Sequence, residues 1–114
     1  MIIEHYAFGR MTVNGRVYTS DLMILPNGEV HDEWWRRRGH VVGTADLGPI
    51  LTSRPELLIL GTGASGMMRP EPSFEAEIGD LGIRLIAAPT ADAAARFNAV
   101  SADLRCAAAF HLTC

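Results

Sequence analysis

Three short apolar runs in the second half of the chain, LLIL at 57–60, IRLIAA at 83–88 and RCAAAFHL at 105–112, are separated by segments of helical character, SFEAEIGDL and ADAAARFNAVSA. A strand apolar on nearly every residue cannot keep one face in water, so each run predicts a strand in a sheet covered on both sides. The intervening helices supply that cover, and the order β-α-β-α-β implies parallel strands joined by crossovers. A chain of 114 residues suffices for one such core, because a domain of this size removes roughly 65% of its unfolded surface from water.

The first third has a different rhythm. IIEHYAF, MTVNGRVYT and LMILPNGEV mix β-branched and aromatic residues with turn signals. Asn14-Gly15 stands between two β-prone triplets and predicts a tight hairpin, and Asn27-Gly28 marks a second turn. Between these blocks, Asp46 is expected to cap a short helix over LGPILTSR, with Pro49 in its first turn and Pro55 ending it. Thr90 is expected to cap the last helix, with Asp92 near the positive end of its dipole. The fold class is therefore α/β: one domain over 1–114 with a central mixed sheet flanked by helices, N-terminal antiparallel hairpin strands leading into β-α-β-α-β.

Composition narrows the function classes. The chain is 48% hydrophobic and 20% charged, as ordinary globular domains are, and its net charge of −3 offers no general attraction to nucleic acid. No apolar run approaches the ~20 residues that span a bilayer, and MIIEHYAFGR lacks a cationic segment leading into an apolar one, so no membrane insertion or targeting peptide is expected. Two cysteines, Cys106 and Cys114, are too few for a disulfide scaffold or a cysteine metal site, which suits a reducing cytoplasm. The histidines His5, His31, His40 and His111 show no zinc-ligand spacing, and no metal is expected.

The segment LLILGTGASG runs an apolar strand into G-x-G-x-x-G, the fingerprint of a dinucleotide-binding turn. A dinucleotide site also needs a helix opening directly after the glycines and a carboxylate near the end of the next strand. Here Met67-Met68-Arg69-Pro70-Glu71-Pro72 follows, with two prolines that disfavour a helix, and IRLIAA ends in Ala87-Ala88-Pro89-Thr90. No dinucleotide or other cofactor is expected. Two readings of the loop remain: a tight turn at the strand end where backbones approach closely, or an anion nest formed by Gly61, Thr62, Gly63, Ala64, Ser65 and Gly66 with Arg69.

EWWRRRGH combines Trp34 and Trp35 with Arg36, Arg37, Arg38 and His40. As a strand, this stretch would send the two tryptophans to opposite faces, one into the core and one toward a partner. Tryptophan and arginine are the residues that dominate interface energetics, so Trp34, Trp35 and Arg36 to Arg38 are the candidate partner-binding residues, with Met67 and Met68 as a second, adaptable patch. His31-Asp32-Glu33 predicts a solvated turn. His111, Thr113 and Cys114 would share one face of an extended segment, but alternate residues there are ~7 Å apart, too far for a histidine-activated thiol. Cys106, among alanines, is expected in the core.

Four segments in order, FGRMTVNGRVYTSDLMILPNGEV, WWRRRGH, LLILGTGASGMM and AAFHLTC, resemble the adipogenesis-associated Mth-type domain family, a domain of unknown function, from about Phe8 to Cys114. The resemblance implies a compact α/β domain with a mixed sheet. It also implies kinship with a mitochondrial assembly factor for respiratory complex I and with an animal protein linked to adipocyte differentiation; this chain looks like the free-standing prokaryotic form. It brings no agreed catalytic residue. The expectation is a non-enzymatic protein-interaction or assembly factor with a protein partner. The alternative is a small-molecule or anion-binding protein, or an enzyme, using the GTGASG loop.

Overall fold

The computed structural model describes residues 2–114. Its centre is a five-stranded mixed sheet formed by β4 (Leu22–Ile24), β5 (Val30–His31), β7 (Leu57–Gly61), β9 (Arg84–Ala88) and β10 (Cys106–Phe110), which lie side by side in the order β5-β4-β10-β7-β9. The three apolar runs are its parallel part: β7 lies between β9 and β10, parallel to both. β4 joins β10 antiparallel and carries β5 as its own antiparallel partner across the Asn27-Gly28 turn. The sheet is thus mixed because the last hairpin of the N-terminal third docks on the last strand of the chain.

Side chains alternate across this sheet with period two. Leu22, Ile24, Leu57, Ile59, Cys106, Ala108 and Phe110 face one core, where helix α3 (Thr90–Val100) contributes Ala93, Ala94 and Phe97. Met23, Leu25, Leu58, Leu60, Ala107 and Ala109 face the other, with Phe74 and Ile78 of helix α2 (Phe74–Asp80) and Ile50 of helix α1 (Gly48–Ser53). α2 and α3 lie on opposite faces, as right-handed crossovers require when one connection runs outward from β7 to β9 and the next returns past β7 to β10.

The hairpin expected at Asn14-Gly15 forms between β2 (Arg10–Val13) and β3 (Arg16–Tyr18), with φ of 49° and 81° at its two central residues, the left-handed pair that a type I′ turn demands. Together with β1 (Ile3–Ala7) it makes a separate three-stranded antiparallel sheet, and Ile3, Met11 and Val13 close the α3 side of the core. A parallel two-stranded pair, β6 (Val41–Val42) with β8 (Arg69–Pro70), completes the strands. Among the described residues no helix is long and apolar enough to cross a membrane.

Two capping expectations are corrected. Asp46 does not precede its helix but lies inside a 3-10 turn, Thr44–Leu47, from which its carboxylate reaches back to accept the Gly43 N–H at 2.9 Å. Thr90 is the first helical residue, behind Pro89 at the cap position. Its hydroxyl is fully buried and donates to the His111 carbonyl at 2.6 Å while accepting the Gly63 N–H at 2.9 Å. The hydroxyl ties three elements together instead of ending one.

Candidate partner-binding site

The register of β4 on β10 pairs Leu22 with Phe110, so the residues just beyond, Asp21 and His111, meet at the end of the ladder. The Asp21 carboxylate accepts His111 Nδ1–H at 2.8 Å, the Leu112 amide at 2.7 Å and Arg36 Nη2 at 2.9 Å. Because the carboxylate can only accept, Nδ1 carries the hydrogen of the His111 ring. Arg36 Nη2 also lies 3.2 Å from that nitrogen, a close approach of two donors that share Asp21. Burial pushes the Asp21 carboxyl up, but the Leu112 amide, His111 and Arg36 together outweigh it and hold it below the usual carboxylate range. Tyr6 reaches the same neighbourhood, its hydroxyl donating to the Leu112 carbonyl; burial, and then the charge of Asp21, push that phenol up.

Arg36 is further fixed by Nε, which donates to the Gly39 carbonyl at 2.9 Å, and by stacking of its guanidinium 4.6 Å from the centre of the Trp34 ring. Trp34 itself is buried, its indole N–H donating to the Asp46 carbonyl at 2.8 Å. The stretch EWWRRRGH is therefore not the expected strand. It is a loop pinned to the start of β4, with the Trp34 amide on the Asp21 carbonyl and the Glu33 amide on Ser20 Oγ. The tryptophans still part company: Trp34 enters the core on the α2 side, and Trp35 is 83% exposed.

Several candidate partner residues consequently lie inside the molecule. Trp34 and Met68 are core residues, and the Arg36 side chain is paired with Asp21. Trp35, Arg37, Arg38 and Met67 are exposed. A cavity of about 310 Å³ beside Trp35 is lined by Ser20, Asp21, Glu33, Trp34, Arg36 and Gly39. Arg37 and Arg38 border another cavity of about 200 Å³ with Asp46 and Glu71.

The glycine loop is turned to internal use. The amides of Thr62, Gly63, Ala64, Gly66, Met67 and Met68 donate to Ala88, Thr90, Thr113, Gly63, Cys114 and Thr62. These are N–H groups on which the anion nest expected at Gly61 to Gly66 with Arg69 would draw, and the chain's own oxygens accept from them. Gly63, at φ 107°, passes so close to residue 114 that a Cβ there would stand 2.3 Å from the Cys114 carbonyl carbon. Gly61 has Phe110 and Thr90 in the space a side chain would need. The close-approach reading of the glycines is the one the packing supports. The loop leads into β8, and α2 starts only at Phe74.

Nothing in the sequence singles out Asp21 and His111 as a pair. One is an acidic residue before an apolar strand and the other a histidine after one, and neither has a partner nearby in sequence. Their pairing depends on β4 lying beside β10. His111 spends Nδ1 on Asp21 and makes no bond to the Cys114 thiol. Cys106 is buried as expected, and burial with the charge of Glu56 pushes its thiol up to about 11. Among the described residues no group of three metal-ligating side chains converges.

A family model described as "Protein of unknown function (DUF498/DUF598)" matches residues 3–111. This chain belongs to the DUF498/DUF598 family. Solved structures share the fold of this member. A conserved hypothetical protein from Pyrococcus horikoshii, PH1505, is 26% identical over all of both chains, with a TM-score of 0.86. The protein MT938 is 29% identical over 99% of this chain and 98% of its own, at 0.80. A Bordetella pertussis protein described as a Mth938-like domain is 19% identical over 97% of this chain and 85% of its own, at 0.76, and supports the fold alone. The Mth-type resemblance is thereby shown. No curated protein matches the chain.

Proposed function

We propose that this DUF498/DUF598 member is a non-enzymatic protein-binding domain that docks its partner on the Trp35 face, in an assembly-type role like that implied by the Mth-type resemblance. The observation that carries the reading is the manner in which Trp35 is held: 83% of a tryptophan is in water, yet the residues on either side are tied down, Trp34 by the Asp21 carbonyl and Arg36 by the Asp21 carboxylate. An exposed indole on a fixed loop costs less entropy to immobilise on binding than one on a mobile loop, and tryptophan is the residue most enriched in binding hot spots. Arg37, Arg38 and Met67 are the exposed residues that would frame the interface.

The test replaces residue 35 with a photo-crosslinking amino acid in the protein's own organism and compares recovered adducts with a crosslinker at the exposed residue Asp103. A partner captured from position 35 alone, and lost from pull-downs of Trp35→Ala, is the expected result. Equal capture from both positions overturns the reading.

A further inference from the structure

We infer that the cavity beside Trp35 receives an arginine side chain of the partner protein, an inference that rests on the docking reading above. The molecule contains the arrangement once already, internally. Arg36 lies with its guanidinium over the Trp34 ring, 4.6 Å from its centre, and donates to the Asp21 carboxylate at 2.9 Å. The exterior repeats the host without the guest: Trp35 and Glu33 both line one cavity of about 310 Å³. Among the described residues, no cation stacks on Trp35 and none pairs with Glu33.

Two further observations, and the chemistry of the guanidinium, point the same way. Glu33 has a left-handed backbone, φ 53°, which a non-glycine residue adopts at a cost, and Ser20 Oγ holds it there by accepting its amide at 2.8 Å. Arg36, the cationic residue on the cavity wall, is already neutralised by Asp21, so Glu33 supplies the uncompensated charge of the lining. A guanidinium suits an indole face and a carboxylate together, because its plane stacks while its edge donates two parallel hydrogen bonds; an ammonium lacks that plane and pairs with the carboxylate as a point charge.

The experiment follows the Trp35 indole N–H resonance of the 15N-labelled full chain, assigned with Trp35→Phe. The probes are the blocked tripeptide acetyl-Gly-Arg-Gly-amide and its citrulline and lysine counterparts. The arginine peptide is expected to move the Trp35 signal saturably, and to bind about tenfold more tightly than the citrulline peptide, which has the same shape without the charge, with lysine between them. Glu33→Gln is expected to remove that preference, and so is salt at about 0.5 M, where screening shortens to a few ångströms. Equal binding of arginine and citrulline peptides, or an unchanged preference in Glu33→Gln, overturns the inference. No shift with any peptide also overturns it. The two proposals fail separately: a partner crosslinked through position 35 whose capture Glu33→Gln leaves intact preserves the docking reading and removes the arginine.

Discussion

Asp21 joins the end of β10, the tryptophan loop and the start of β4 through one carboxylate. Its removal should therefore cost more than a surface ion pair would. Asp21→Asn leaves the buried Arg36 charge uncompensated and is expected to lower unfolding free energy by about 3 kcal/mol, measured by urea titration at neutral pH. The pH dependence follows from the sign of the shift. The folded-state pKa of Asp21 lies below its unfolded value of about 3.8, so the folded chain holds the carboxylate ionised where the unfolded chain takes up a proton. That stabilisation is complete above the unfolded value and is lost as pH falls through the folded one. Wild type should thus lose stability on acidification more steeply than Asp21→Asn, and parallel curves would contradict the assignment. Thr90 is a second such residue. Thr90→Val keeps the volume but strands the Gly63 amide and the His111 carbonyl, and about 2–3 kcal/mol should be lost.

At the scale of elements, the segments that differ from expectation are those whose conformation is set by distant contacts. The tryptophan loop has the composition of a strand, yet neighbouring backbone and the Ser20 hydroxyl take up the hydrogen bonds a strand partner would have supplied. The glycine loop has the signature of a nucleotide turn, yet the Ala64 and Met67 amides are taken by the carbonyls of residues 113–114. Gly63→Ala would push a methyl group into the Cys114 backbone in a conformation that alanine disfavours. The expected outcome is faster hydrogen exchange at the Ala64 and Met67 amides, as residues 113–114 detach from the loop. Arg54, by contrast, ends α1 in a left-handed conformation at φ 53° with its amide on the Leu51 carbonyl. Glycine is the residue that position favours, and Arg54→Gly should stabilise the fold by about 1 kcal/mol in thermal or urea unfolding.

Across the whole molecule, β10 is the strand on which everything converges. It is buried throughout, lies between an antiparallel and a parallel neighbour, and presents residues to both cores. Local opening cannot expose such a strand, so Cys106, buried and with its thiol raised to about 11, should react with iodoacetamide only through global unfolding. Cys114 is exposed and should be modified in the native state. Mass spectrometry of tryptic peptides across a urea series separates the two: Cys106 labelling should follow the unfolding transition, and labelling well below it would show that the β10 region opens on its own. Ala107, Ala108 and Ala109 are fully buried. Ala108→Leu should destabilise by about 2 kcal/mol through overpacking of the core that Ala108 shares with Ala93 and Phe97 of α3.

What the amino-acid order determined by itself is local or periodic: LLIL, IRLIAA and RCAAAFHL as buried strands, the helices between them, and the Asn14-Gly15 hairpin. In each case the information lies within a few residues, in side-chain alternation or in the dihedral angles a turn demands. The separation of Trp34 from Trp35 was also legible, although its cause is a pinned loop and not strand alternation. Only the tertiary structure decided that β4 lies beside β10, and with that placement came the meeting of Asp21, Arg36 and His111, the occupation of the glycine loop by residues 113–114, and the isolation of Trp35 beside a carboxylate-lined cavity. Strand order is settled by competition among contacts tens of residues apart, each made only after the chain has closed on itself. A side chain whose partner arrives that way carries no mark of it in its own neighbourhood.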